Sequence, residues 1–90
     1  MLVARRFVVS GRVQGVGFRF HIMESAQLDG LHGWVRNLPD GSVEAFVEGD
    51  REAVARLERK IRRGPPGARV ERVDAEDDVP TGRLGEFTVK

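Results

Sequence analysis

Residues 8–22 read VVSGRVQGVGFRFHI and take the chain from a predicted strand, through a loop, into a predicted helix. Valine and phenylalanine are frequent between Val3 and Ser10, which favours a strand, and we expect that strand to stop at Gly11. Residues 11–17 contain three glycines, too many for the interior of a strand or helix. They therefore predict a tightly turning loop.

The helix after this loop is predicted to start without a capping side chain. Phe18, Ile22 and Ala26 recur at every fourth residue, which indicates an amphipathic helix that ends near Asp29-Gly30. Residues 15–17 precede it and read GVG, so none of them offers an oxygen to the free N–H groups of the first turn. Water or an anionic ligand is left to satisfy these groups.

A hairpin is predicted next. Gly33–Leu38 and Ser42–Glu48 have the composition of two strands, and Pro39-Asp40-Gly41 is typical of the turn between them. Alternation along the second strand places its residues on two faces of the sheet. On one face lie Val43, Ala45 and Val47, and on the other Glu44 and Glu48.

A second helix follows the hairpin. Asp50 is suited to cap its start, and Gly64-Pro65-Pro66-Gly67 ends it. Four-residue spacing predicts two supporting ion pairs on its surface, Glu52 with Arg56 and Glu58 with Arg62. Its apolar stripe consists of Val54, Leu57 and Ile61.

The order of elements predicts the fold class. Val70–Glu76 and Glu86–Val89 are predicted as the closing strands. Up to the first of them, the chain runs strand, helix, strand, strand, helix, strand. This is the split βαβ order of the ferredoxin-like α+β fold. We expect a mostly antiparallel sheet of four or five strands with both helices on one face, in a single domain over residues 1–90.

Composition excludes several classes of function. The 90 residues include no Cys and two His, which argues against a disulfide framework, a thiolate nucleophile, or a Cys- or His-rich metal site. Lys and Arg number 15 and Asp and Glu 14, so the net charge of +1 argues against a partner that is nucleic acid or anionic membrane. Residues 1–6 lack a signal-peptide core. We expect a cytoplasmic monomer with no metal or cofactor.

The remaining polar and aromatic clusters favour structural interpretations. Cations in residues 59–63 complement the dipole of the second helix at its last turn. His21 and His32 are expected to be packed or surface residues, and Trp34 and Phe46 to pack on the sheet. An acidic run is expected to be solvated and consists of Asp74, Glu76, Asp77 and Asp78.

The strongest candidate site is the glycine loop together with Arg19. Backbone N–H groups of residues 11–18 can converge on one anion, and the helix start adds further N–H groups and a favourable dipole. Arg19, in the first helical turn, offers a planar pair of donors that suits phosphate. No Lys-Ser or Lys-Thr follows the glycines, and Phe20 replaces the third glycine of a dinucleotide fingerprint. We therefore predict a site for an oxyanion rather than a nucleotide.

Two segments at this loop and at the hairpin closely resemble the signature segments of the acylphosphatases. They are Gly11–Arg19, GRVQGVGFR, and Gly33–Glu44, GWVRNLPDGSVE. The similarity continues through residues 48–49 and 64–66 to the last strand with Phe87, and so covers nearly the whole chain.

One position departs from the family pattern. The family usually has Leu directly before a Gly-Leu pair, whereas Asp29 stands before Gly30-Leu31 and Leu28 is displaced by one position. This departure concerns the end of the first helix and none of the residues with an implied role.

The resemblance implies a small stand-alone hydrolase of acyl phosphates and a role for each site residue. Arg19 is implied to be the phosphate-binding catalytic residue, and Asn37 to orient the attacking water. The implied phosphate cradle is the backbone of Gln14, Gly15, Val16, Gly17 and Phe18.

Elementary chemistry agrees with these roles. Phosphoryl transfer depends mainly on positioning and on stabilising the equatorial oxygens, which one Arg and several fixed N–H groups supply. The neutral amide of Asn37 is a weak base, so the substrate must have a good leaving group. The carboxylate released from an acyl phosphate has a pKa of about 4 and needs no general acid.

Other functions stay open from the residues alone. A glycine-rich loop with a nearby Arg is also compatible with a mobile connection and a solvated side chain. A non-catalytic phosphate-binding module could use the same loop and Arg19. A third possibility is a single-stranded RNA binder on the open face of the sheet.

Overall fold

The computed structural model describes residues 1–83 and 85–90. In chain order, the described elements are β1 (Leu2–Arg12), α1 (Phe18–Leu28), β2 (His32–Asn37), β3 (Val43–Asp50), α2 (Arg51–Arg63), β4 (Arg69–Asp78) and β5 (Phe87–Val89). Neither of these helices is long and apolar enough to cross a membrane.

The strands form one mixed sheet in the order β4-β1-β3-β2-β5. β1 pairs antiparallel with β3 and β4, β2 pairs antiparallel with β3, and β2 and β5 run parallel. Both helices pack against the sheet and against each other. The predicted ferredoxin-like α+β fold is confirmed, with five strands in the sheet.

The core lies between the helices and one face of the sheet, because alternate strand residues point to that face. β1 contributes Phe7 and Val9, and β3 contributes Val43, Ala45 and Val47, all fully buried. Burying each large apolar side chain contributes roughly 1.5–3 kcal/mol. The predicted helix stripes complete the core, with Phe18, Ile22 and Ala26 from α1 and Val54, Leu57 and Ile61 from α2.

Gly11 lies inside β1, so the predicted end of this strand was wrong. The strand continues to Arg12, and its register with β4 shifts between Ser10 and Gly11. Gly11 has φ 124°, and a Cβ there would collide with the backbone oxygen of Arg69. The glycine therefore permits the close approach of β4 at a bulge. In sequence, a glycine at a bulge cannot be told from a glycine at a strand end.

The end of α1 explains the Asp29 departure. The helix stops at Leu28, with Asp29 as its C-cap and Gly30 at φ 67°. Asp29 also lies 3.3 Å from Arg56 of α2. Arg56 thus contacts the C-cap residue of α1 rather than forming the predicted pair with Glu52, and Asp29 links the end of α1 to α2.

The start of α2 is capped as predicted. Asp50 accepts a hydrogen bond from the backbone N–H of Glu52 at 3.2 Å. The second predicted ion pair, Glu58 with Arg62, forms at 2.9 Å. Basic residues occupy the last turn, where they complement the helix dipole.

Glu44 lies on the sheet face opposite the helices, as predicted, but it is buried rather than solvated. Arg6 approaches its carboxylate to 3.0 Å and Arg36 to 2.7 Å. On the same face Trp34 stacks on Phe46, with ring centroids 6.3 Å apart, so both aromatic residues pack on the sheet. Alternation alone predicts that this face of β3 is exposed. Paired arginines and aromatic packing cover it instead.

Glu48 is buried still more deeply on this face, with 1% of its surface exposed. Its carboxylate accepts hydrogen bonds from the hydroxyl of Thr81 at 2.6 Å and the N–H of Gly82 at 2.8 Å. Burial is the largest single influence on the pKa of Glu48 and raises it, but the hydrogen bonds from Thr81 and Gly82, with a Coulombic contribution from His32, together outweigh burial and lower the pKa. Glu48 therefore holds the chain after β4 against the sheet as a charged carboxylate.

Substitution Glu48→Gln should lower the Tm at neutral pH, because an amide accepts weaker hydrogen bonds than a carboxylate. A carboxyl whose pKa is lower in the folded protein adds stability above its unfolded-state pKa, about 4.3, and loses it as pH falls through the folded-state value. The Tm difference between wild type and variant should therefore shrink below about pH 4, measured by thermal unfolding. Exposed Glu71 gives the matched control, Glu71→Gln. A difference that grows on acidification would contradict this role.

Candidate active site

The loop between β1 and α1 turns at two glycines. Gly15 has φ 74° and Gly17 has φ 77°, a backbone region that glycine adopts at little cost. An added Cβ at either position would meet nothing within 4 Å, so conformation rather than space requires glycine there. Val13 and Phe18 on either side are buried in the core. The loop is thus anchored at both ends and bends sharply between them.

The start of α1 lacks a side-chain cap, as predicted. Gly17 is the N-cap residue, and no side chain forms a capping hydrogen bond there. The first helical bond runs from the N–H of His21 to the carbonyl of Gly17 at 3.0 Å. The N–H groups of Phe18, Arg19 and Phe20 consequently have no partner within the helix. They present the positive end of the helix dipole to the adjoining space.

A small cavity of about 90 Å³ lies at this helix start. It is lined by Val13, Gly15, Gly17, Phe18, Arg19, Phe20 and Asn37. Arg19 reaches it from the first turn of α1, and Asn37 from the last residue of β2. The structure therefore brings the two predicted catalytic residues to one cavity beside the uncapped helix.

Two predicted cradle residues, Gln14 and Val16, are not among the residues that line this cavity. Val16 packs against the core. The side-chain amide of Gln14 donates to the backbone carbonyls of Leu38 at 2.8 Å and Ser42 at 2.9 Å. Gln14 thus ties the loop to the β2–β3 turn, directly after Asn37. Sequence reasoning missed this role, although Gln14 is the one polar side chain among residues 13–18.

The turn that follows Asn37 is held by hydrogen bonds of its own. The N–H of Leu38 donates to the carbonyl of Ser42 at 2.8 Å. The carboxylate of Asp40 accepts from the hydroxyl and from the N–H of Ser42, and the pKa of Asp40 is lowered, first by the hydroxyl and then by the N–H. Asn37 therefore projects from an ordered strand end.

Arg19 is held by the backbone directly after β5. Its Nη1 donates to the backbone oxygen of Lys90 at 2.8 Å. Lys90 follows β5, and its own N–H donates to the carbonyl of Val35 in β2 at 2.9 Å. The guanidinium is thus fixed to the sheet edge, and its other N–H donors remain for an anion. No local sequence pattern indicates this contact.

A larger groove, of about 630 Å³, lies away from the glycine loop, between the start of β1, α2 and the end of β4. Two arginines line it, Arg5 and Arg51, and Arg5 is already paired with Glu58 at 3.2 Å and Asp77 at 2.6 Å. Asp78 adds further negative charge. The uncapped start of α1, with its free N–H groups, lies at the smaller cavity and not at this groove, so we assign the candidate site to the smaller cavity. Within residues 1–83 and 85–90, no three His, Asp or Glu side chains are grouped as a metal site would require.

Comparison with known proteins identifies the family. The model of the acylphosphatase family matches residues 5–89. The chain belongs to the acylphosphatase family. An acylphosphatase from Anaeromyxobacter dehalogenans (strain 2CP-C) is 53% identical over 88 residues, which cover 98% of this chain and 95% of that protein.

Solved structures give the same result. The crystal structure of acylphosphatase from Bacillus subtilis matches with a TM-score of 0.92 and 33% identity, over 100% of this chain and 99% of that one. An acylphosphatase from Coxiella burnetii matches with a TM-score of 0.92 and 36% identity, over 99% and 93%. Family and fold confirm the predicted enzyme, a hydrolase of acyl phosphates.

Substitution Gln14→Ala should lower both stability and activity, because it removes the two hydrogen bonds between loop and turn. We expect the free energy of unfolding to fall by about 1–3 kcal/mol in denaturant titration. We also expect a lower kcat with acetyl phosphate, since Asn37 and the loop lose their shared support. Gln27→Ala, at an exposed position of α1, is the matched control. Equal effects of the two substitutions would show that the Gln14 contacts are unimportant.

Proposed function

We propose that the acylphosphatase reaction proceeds by direct in-line attack of water on a phosphate held at the start of α1. One observation carries this proposal: the uncapped helix start, Arg19 and Asn37 meet at the same small cavity. Donors with fixed positions and a charged guanidinium match what phosphoryl transfer demands.

The phosphate is held by the backbone and by one side chain. The N–H groups of residues 14–18 and the guanidinium of Arg19 donate to its oxygens. Support comes from the left-handed glycines, which bend the loop around the helix start, and from the Lys90 contact that fixes Arg19. Because these donors are already in position, little reorganisation is needed as charge develops on the equatorial oxygens.

Asn37 orients the attacking water. Its side-chain carbonyl accepts a hydrogen bond from the water, and its NH₂ group donates elsewhere. A water held opposite the leaving group stands in line with the bond that breaks. The position of Asn37 at an ordered strand end, facing the same cavity as Arg19, supports this role.

The leaving group completes the mechanism. The water oxygen forms the new P–O bond, the bond from phosphorus to the acyl oxygen breaks with its electron pair on the carboxylate, and the surplus proton passes to phosphate or solvent. A carboxylate with a pKa of about 4 departs without a general acid. Neither a metal ion nor a phosphoenzyme is required, and inorganic phosphate leaves from the same cradle.

We further propose that the enzyme acts as a cytoplasmic monomer on small acyl phosphates and binds neither nucleic acid nor membrane. A net charge of +1 and a chain without Cys support this proposal. Sedimentation equilibrium at micromolar concentration should give the mass of one chain, and a dimer mass would contradict it.

Two substitutions should show separately which residue binds the phosphate and which positions the water. Arg19→Ala should lower kcat/KM for acetyl phosphate by about 10³-fold or more and abolish inhibition by inorganic phosphate. Asn37→Ala should lower kcat by roughly 10²–10³-fold and leave the phosphate inhibition constant nearly unchanged, because it removes an interaction made with the water. Hydrolysis is followed by loss of the anhydride, with a chelator present throughout.

Arg59→Ala, at an exposed arginine of α2, is the matched control and should behave as wild type. Activity retained by Arg19→Ala would refute the assignment of the site. Equal losses of kcat and phosphate affinity in Asn37→Ala would refute water positioning, and loss of wild-type activity with chelator would refute the metal-free mechanism.

A further inference from the structure

Phe20 is a large apolar side chain that the fold leaves in solvent beside the catalytic cavity. It is 53% exposed, whereas Phe18, two residues earlier on the same helix, is buried in the core. The large apolar side chains exposed in the described chain are Met1, Leu2, Phe20, Leu28 and Val79. Of these, Phe20 alone lines the cavity that contains Arg19 and Asn37.

The cavity offers few other surfaces to a substrate. Gly15 and Gly17 contribute no side chain, and Val13 and Phe18 are almost completely buried. Arg19, Asn37 and Phe20 are therefore the side chains that a ligand can reach among the lining residues. In the proposed function Arg19 binds the phosphate and Asn37 orients the water. Phe20 is therefore the side chain available to contact the acyl group of the substrate.

The size and charge of the cavity limit which acyl groups can bind. A volume of about 90 Å³ corresponds to a few water molecules, so the acyl group lies at the mouth of the cavity rather than inside it. Arg19 is the sole charged residue in the lining, and it is taken by the phosphate. A second charge on the acyl group would find no partner among these residues, whereas an apolar group would find the ring of Phe20.

We propose that Phe20 determines specificity, its ring forming the surface on which the acyl group lies, so that the enzyme prefers acyl phosphates with a flat, apolar acyl group. The inference rests on the proposed function, since it takes the phosphate to be held by Arg19 and the loop. Contact of an aromatic acyl group with the ring removes apolar surface of both from water and adds the favourable geometry of an aromatic pair.

The test compares benzoyl phosphate, which has a flat apolar acyl group, with acetyl phosphate, which has a small one. Wild type should show the higher kcat/KM with benzoyl phosphate. Phe20→Ala should lower kcat/KM for benzoyl phosphate by about threefold to tenfold and change that for acetyl phosphate by less than about twofold. Phe20→Tyr, which keeps the ring, should retain the preference. Leu28→Ala, at the 82% exposed residue at the end of α1, should change neither value.

Each outcome separates this inference from the proposed function. An unchanged ratio of the two kcat/KM values in Phe20→Ala, or an equal loss with both substrates, would overturn the role of Phe20. Thermal unfolding of the variant confirms that both values are measured on folded protein. Arg19→Ala is measured alongside: if it is inactive on both substrates while Phe20→Ala keeps the wild-type ratio, the specificity inference alone fails. If Arg19→Ala stays active, the proposed site itself fails.

Discussion

The start of α1 is a helix end without a side-chain cap, and the site is organised around the N–H groups that this leaves. Gly17 supplies a left-handed turn and no oxygen, so the first N–H groups of the helix face the cavity instead of a neighbouring side chain. A Ser or Asp at this position would satisfy them internally and fill the place of an anion. Having Gly instead of a capping side chain costs roughly a few tenths of a kcal/mol of helix stability, and the rest of the fold compensates for it.

That compensation comes from contacts on both sides of the loop. Val13 and Phe18 anchor its ends in the core, and the amide of Gln14 fastens it to the turn after Asn37. From the sheet edge, the backbone of Lys90 holds Arg19. Most of these supports are distant in sequence, and together they hold a loop with two glycines so that it presents a fixed arrangement of donors.

The sequence predicts those features that depend on local pattern. Strand alternation, helix stripes and turn residues placed every element in its correct order, because each signal lies within a few residues. The end of β1 was wrongly predicted at Gly11, because glycine occurs both at strand ends and where two backbones approach closely. The burial of Glu48 and the bridging amide of Gln14 depend on partners more than 20 residues away, which local pattern does not contain. Arg19 was predicted from its position after the glycine loop and Asn37 through the family resemblance, and the structure adds that they line one cavity.

The most direct measurement follows the backbone amides while inorganic phosphate is added. In ¹H–¹⁵N spectra of the labelled protein, the N–H signals of residues 14–19 and the Nε–H of Arg19 should move most, and they should saturate together with one dissociation constant. Such a result would place the anion at the uncapped helix start. Saturable shifts centred elsewhere, for example on the basic residues 59–63, or no saturable shift in the loop, would contradict the assignment.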